Sequence, residues 1–165
     1  MLTFRKITPE DYDEVSALML ELYKIHSAAR PDVFEPKDTP RTFEEFCMCA
    51  SGEDRIALCA GEGGSIIAYA LVKLAEADRP QGELTAVMEE IYVVPSARRE
   101  KIGTMLYRMA EREARERGAV RLDLGVWSFN ESAAAFYRKM GFSVQRTVME
   151  RDIRVENFER ECDKH

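Results

Sequence analysis

Seven consecutive residues, Arg98-Arg99-Glu100-Lys101-Ile102-Gly103-Thr104, have the types an anion site needs. They follow a β-branched run that Pro95 stops. They open an amphipathic stretch with Leu106, Met109, Ala110 and Ala114 on one helical face. A strand that turns tightly into a helix leaves free backbone N–H groups at the positive end of the helix dipole. Arg98, Arg99 and Lys101 add charge, and pyrophosphate is the natural guest. Other chemistries find little support. Cys47, Cys49, Cys59 and Cys162 include one C-x-C pair, and the histidines are His26 and His165. That spacing predicts no metal site. His26 precedes a proline-rich loop and reads as structural or exposed. Trp127 reads as packing and the eight methionines as core filler.

The elements that position this turn follow from periodicity. Leu2–Ile7 alternates and predicts a strand. Thr8-Pro9-Glu10-Asp11 starts a helix: Thr8 caps it, Pro9 takes the first position and the acids complement the dipole. Tyr12, Val15, Leu18, Met19, Leu22 and Ile25 continue it until Arg30-Pro31. Pro31–Pro40 is a loop. Thr42–Ala50 is a short helix with Thr42 and Glu45 in capping-box spacing. Arg55–Ala60 and Ser65–Ala75 read as strands joined by a Gly61-Glu62-Gly63-Gly64 turn. Asp78–Glu83 is a polar loop, and Thr85–Val94 a third β run. Gly103–Arg117 is a helix closed by Gly118. Val120–Trp127 is a strand. Asn130 caps a helix to Met140, Phe142–Glu150 is a final strand, and Arg151–His165 extends it before fraying. The expected fold is α/β: one domain over residues 1–165, a mixed sheet in the order β α α β β β α β α β, with helices on both faces. The passage from Val93 to Val120 through a helix implies a parallel pair.

Composition excludes several classes. The 165 residues are 45% hydrophobic and 33% charged, which fits a folded domain and argues against disorder. No apolar run approaches the ~20 residues of a membrane helix. Met1–Arg5 lacks the apolar core of a secretory signal, so the reading is a cytoplasmic protein with reduced thiols. A net charge of -6 argues against general nucleic-acid binding. Residues 1–90 carry 18 acids and 9 bases; residues 91–165 carry 12 and 15. An acidic first half beside a basic second half suits two ligands of opposite sign.

Two motifs carry a resemblance. The first is Val93-Val94-Pro95-Ser96-Ala97-Arg98-Arg99-Glu100-Lys101-Ile102-Gly103-Thr104-Met105-Leu106; the second is Asn130-Glu131-Ser132-Ala133-Ala134-Ala135-Phe136-Tyr137-Arg138-Lys139-Met140-Gly141-Phe142. In this order and at this separation they resemble the GNAT superfamily of acyl-CoA-dependent N-acyltransferases. Together they span about a third of the chain, and the element order extends the likeness over most of it. One position departs: Lys101 replaces the first motif glycine. There a side chain either crowds the phosphates or supplies them a cation.

The resemblance implies acetyl-CoA as the acyl donor. Residues Arg98, Arg99, Glu100, Lys101, Ile102, Gly103 and Thr104 would wrap its pyrophosphate. The backbones of Ile91 and Val93 would pair with the pantetheine arm as a strand edge does, and the Ile91 N–H would face the thioester carbonyl. Asn130 would hydrogen-bond the arm, and Tyr137 would sit at the sulfur as acid for the leaving thiolate. An alkylammonium, with a pKa of about 10, needs a base before it can attack. Glu89 and Glu90 lie on the strand that would hold the thioester. Strict alternation puts them on opposite faces, Glu89 in phase with Ile91 and Val93. Glu89, which matches the base position of some polyamine-acetylating relatives, is the expected base, with Glu90 the alternative. The function so implied is acetyl transfer by direct attack of an amine in a ternary complex, with a small cationic amine as acceptor and Asp32, Glu35 and Asp38 at its mouth. A protein N-terminus or lysine is the alternative acceptor, and a CoA-binding regulatory module the non-catalytic alternative. A homodimer is expected.

Overall fold

The computed structural model describes residues 1–76 and 82–153. Strand β1 (Thr3–Lys6) leads through a turn at Pro9–Asp11 into α1 (Tyr12–Ala29) and then α2 (Phe43–Ser51). Strands β2 (Arg55–Glu62), β3 (Ser65–Glu76) and β4 (Leu84–Val93) form a meander. Helix α3 (Ile102–Glu116) crosses over to β5 (Arg121–Leu124), and α4 (Glu131–Lys139) follows. The sheet runs β1-β2-β3-β4-β5, antiparallel up to β4, with β4 and β5 parallel. This is the mixed α/β fold the sequence predicts.

Alternation along the strands supplies two cores. Ile56, Leu58, Ala68, Ala70, Val72, Ala86 and Met88 face Ile102, Leu106 and Ala110 of α3. Ala57, Cys59, Tyr69, Leu71 and Tyr92 face Val15, Leu18 and Met19 of α1 and Phe46 of α2. Helices thus cover both faces. The start of α2 is capped as expected: Thr42 Oγ1 accepts from Glu45 N, and the Glu45 carboxylate accepts from Thr42 N at 2.8 Å. Asp11 accepts from Thr8 N at 2.8 Å and is clasped by Arg5 through both oxygens, at 2.6 and 2.7 Å.

Two expectations about the end of the chain are corrected. The strand expected over Val120–Trp127 is β5, which stops at Leu124, where it parts from β4: pairing runs only from Thr85↔Arg121 to Met88↔Leu124. The final strand expected over Phe142–Glu150 is not formed, and Arg151–Ile153 does not extend one. An alternating pattern gives a segment the propensity for a strand, but the ladder still needs a neighbour. The remainder of the expected tail, and most of the Asp78–Glu83 loop, lie outside the described residues. Among the described residues no helix is long and apolar enough to cross a membrane.

Candidate active site

The site begins where β4 breaks step. Its register against β3 passes from Val72↔Met88 to Leu71↔Glu90, leaving Glu89 as an extra, bulged residue. The consequence is visible in the cores. Met88 belongs to the α3 side and Tyr92 to the α1 and α2 side, although they stand four positions apart and would share a face in a regular strand. Strict alternation therefore fails here. Glu90 joins Tyr92 on the α1 and α2 face. Glu89 accepts from Arg55 (Nη1–Oε2, 2.7 Å), and Arg55 is in phase with Ala57 and Cys59 on that same face. The two acids share a face instead of opposing each other, and Glu89 is not in phase with Ile91 and Val93, which pack toward α3. A bulge bends its strand and re-aims side chains, and no residue type at 89 or 90 announces one.

The acids differ in occupancy. Glu90 accepts from Arg41 Nη2 at Oε1 (2.7 Å) and from the buried Tyr69 hydroxyl at Oε2 (2.6 Å). Glu89 is bound at Oε2 alone, and Oε1 has no partner among the described residues. Beside them the Tyr92 hydroxyl donates to Glu21 at 2.7 Å. Burial, and then that hydrogen bond, push Tyr92 up to about 12. Arg41, Arg55, Tyr69 and Glu21 are partners that sequence reasoning missed. Each sits far from the motifs in the chain, and only the sheet and α1 bring them in.

Beyond the bulge, β4 continues from Glu89 to Val93 with no described strand on its β5 side. This gap leads to the turn. Arg98 Nε donates to the Val93 carbonyl (3.0 Å), and its guanidinium lies over the Tyr92 ring, 5.6 Å from the centroid. Arg99 and Lys101 have left-handed backbones, φ 74° and 64°. Lys101 is followed directly by helical Ile102, a left–right pair that turns successive N–H groups into one concavity. Among the described residues no side chain caps α3, and its first helical bond is Met105 N to Lys101 O. The amides of Ile102, Gly103 and Thr104 are thus left for a guest. Ile102 is buried, so only its backbone can serve. A methyl group on Gly103 would meet Val93 Cγ2 at 3.5 Å and the Phe136 ring at 3.9 Å, both ordinary contacts. Packing within the chain does not demand glycine there; a guest lying on the backbone would. These residues fit a pyrophosphate.

Helix α4 carries the other expected residues. Asn130 Oδ1 caps the helix by accepting from Ala133 N (3.1 Å), and its amide NH₂ has no partner among the described residues. Tyr137 packs against Phe136 (5.4 Å) and Phe142 (5.6 Å), and burial pushes its hydroxyl up to about 12. His26 donates from Nδ1 to Leu22 O and packs on Phe34 and Phe129; Trp127 packs on Phe34. Both pack within this aromatic group. Among the described residues no group of three or more His, Cys, Asp or Glu could hold a metal.

A gap between parallel strands that ends in an uncapped helix start invites comparison with known proteins. The sequence model of the Acetyltransferase (GNAT) family matches residues 19–142. The chain belongs to this family. It is 38% identical over 97 residues to a streptothricin acetyltransferase of Streptomyces lavendulae, a match covering 57% of this chain and 49% of that protein. It is 27% identical over 147 residues to an uncharacterized N-acetyltransferase of Methanocaldococcus jannaschii, covering 88% and 62%. The chain therefore spans about half to three-fifths of the length of these curated relatives. The fold of the BH1408 protein from Bacillus halodurans superposes with a TM-score of 0.86 at 23% identity, over 92% of this chain and 99% of that one.

Proposed function

We propose that this GNAT chain transfers an acetyl group from acetyl-CoA to the amine of a small cationic acceptor, with both substrates bound at once. One observation carries the reading: β4 loses its β5 partner at Met88 and runs on, without a further strand on that side, to a helix start whose amides have no partner among the described residues. That path fits an extended arm ending in a pyrophosphate.

Acetyl-CoA supplies a thioester; the remaining chemistry falls to the chain. The open edge of Ile91 and Val93 and the amide of Asn130 hold the arm. The Ile91 N–H stabilises negative charge on the thioester oxygen. Glu89, with Oε1 unoccupied, takes the proton the acceptor nitrogen must lose, directly or through a water. The N–C bond forms as the C–S bond breaks. Tyr137 meets the departing sulfur. With the hydroxyl near 12 and a thiol near 8.5, full proton transfer from tyrosine is uphill, so its first contribution is a hydrogen bond to the thiolate. Two features support a cationic acceptor. Glu21 accepts the Tyr92 hydroxyl on the face that holds Glu89 and Glu90, and has no cation among the described residues. The likeness to a streptothricin acetyltransferase favours a small molecule over a protein. Asp32 is committed to Arg30, which leaves Glu35 and Asp38 as the loop acids at the mouth.

The test is release of free thiol from acetyl-CoA against polyamines, aminoglycosides, amino acids and peptides. Turnover with a small cationic amine is the expected result. Turnover with peptides alone would make it a protein acetyltransferase, and donor binding without thiol release a regulatory CoA-binding module.

A further inference from the structure

Glu89 is reached by a side chain from two strands away. Arg55 opens β2 and stands opposite Lys73 of β3, which stands opposite Val87 of β4. Two strand spacings, about 10 Å, separate its backbone from that of β4. Arg55 crosses them, and its Nη1 donates to Glu89 Oε2 at 2.7 Å. Its Nε stands 3.6 Å from Asp54 Oδ1, beyond hydrogen-bond reach. Among the described residues Glu89 is thus the one carboxylate to which this guanidinium donates.

The chain around Arg55 fixes it in place. A methyl group on Gly52 would meet Arg55 Cγ and Asp54 Oδ1 at 2.9 Å, so glycine leaves the room in which the arginine stem lies. Arg117 of α3 donates to the carbonyls of Glu53 and Arg55, at 3.1 and 2.9 Å, and is itself paired with Glu113. Arg55 N donates to Gly52 O at 2.9 Å, and Leu74 N to Asp54 O at 2.7 Å. Backbone and stem are held independently of Glu89. Glu89 has no such support. As the bulged residue it lacks an opposed partner on β3, and the terminal torsion of a glutamate is broad. The bond from Arg55 makes its two oxygens unequal, one held and one open. A carboxylate aimed in advance loses less torsional freedom when it takes a proton.

We propose that Arg55 is the positioning residue of the base: it holds Oε2 so that Oε1 of Glu89 faces the acceptor nitrogen. The proposal rests on Glu89 as the base of the proposed acetyl transfer. No bond changes at Arg55. The proton passes from the amine nitrogen to Oε1, and the guanidinium stays charged throughout.

The experiment reads free thiol released from acetyl-CoA by the full chain. Spermidine is the acceptor, or, where it is not turned over, the aminoglycoside, amino acid or peptide of the panel above that is. Arg55→Met keeps the stem and removes the donor. Its kcat at neutral pH is expected to fall on the order of tenfold, with the KM for acetyl-CoA unchanged. Two readouts separate aim from packing. The rate should climb back toward wild type as pH approaches about 10, where the amine no longer needs a base. In the Glu89→Gln background Arg55→Met should cause no further loss, since the carboxylate it aimed is no longer a base. Arg55→Lys, which restores one charged donor, should lie between Arg55→Met and wild type. Arg55→Gln, with an N–H and no charge, takes the place of Arg55→Met if that variant does not fold. Wild-type turnover by the donor-free variant overturns the proposal. So does a loss that persists at high pH, or losses that multiply in the double variant. If Glu89→Gln alone keeps the wild-type rate and profile, or no acceptor releases thiol, the base assignment itself falls and the proposal with it.

Discussion

Glu89 and Glu90 are neighbours with the same side chain on the same face, and their partners separate them. One Glu89 oxygen is open, whereas both Glu90 oxygens are engaged by Arg41 and Tyr69. Glu89→Gln keeps the shape but cannot take a proton. Its rate should fall at neutral pH and recover as pH approaches the amine's value of about 10, where solvent has already deprotonated the nucleophile. Glu90→Gln should leave the shape of the pH–rate profile intact and act on stability. It strips the charge from a half-buried pair and leaves Arg41 uncompensated, at a cost of about 2 kcal/mol. If the profiles of the two variants are interchanged, Glu90 is the base. Tyr137→Phe removes one hydroxyl and no ring contact. Its kcat should fall on the order of 10–10²-fold, with acetyl-CoA affinity and melting temperature unchanged. Unaltered turnover would leave Tyr137 a packing residue.

At the scale of elements, the turn into α3 and the entry to α1 are the most exacting. Lys101 holds a left-handed φ of 64°, which costs a residue with a Cβ about 1 kcal/mol. Lys101→Gly should therefore raise the melting temperature of the free protein by about 2–4 °C. It should also weaken acetyl-CoA about fivefold by removing a cation from the phosphate turn. Tighter binding would mean that the side chain only crowds the turn. At α1, Arg5 donates to both oxygens of buried Asp11 and holds its carboxyl below the usual range. The unfolded chain keeps a value of about 3.9, so this stabilisation is full above that pH and is lost as pH falls through the lowered folded value. Asp11→Asn should cost on the order of 2 kcal/mol at pH 7 in thermal unfolding, and the gap to wild type should close in acid. These elements were legible because their signals are local: caps, prolines, periodicity and the basic turn. The bulge at Glu89 was not, since it arises from how β4 meets β3. Nor was the early end of β5 or the unpaired state of 142–150, since pairing depends on whether a neighbour remains within reach. Asn130, Tyr137 and the turn were readable from their motifs, but Arg41 and Arg55 became partners of the two acids only through the folded sheet.

At the scale of the whole molecule, charge is unevenly divided between the two halves of the chain. Acids dominate residues 1–90, which build α1, α2, β1 to β3 and most of β4, and bases dominate the remainder, which contains the turn at Arg98–Thr104. A polyanionic donor and a cationic acceptor would then approach surfaces of opposite sign, and both encounters would weaken with salt. The donor side can be isolated, because acetyl-pantetheine carries the thioester and the arm without the pyrophosphate. A ligand at 100 times its Kd stabilises by about 2.7 kcal/mol, or about 5–10 °C for a chain of this size. Acetyl-CoA should produce a shift of that order at saturating concentration. Acetyl-pantetheine at equal concentration should produce a small fraction of it, and added salt should erode the acetyl-CoA shift more than the acetyl-pantetheine shift. The difference between the two ligands is the contribution of the α3 start and its basic turn. If both raise the melting temperature equally, binding lies along the β4 edge alone. The uncapped amides of Ile102, Gly103 and Thr104 would then have no phosphate to hold.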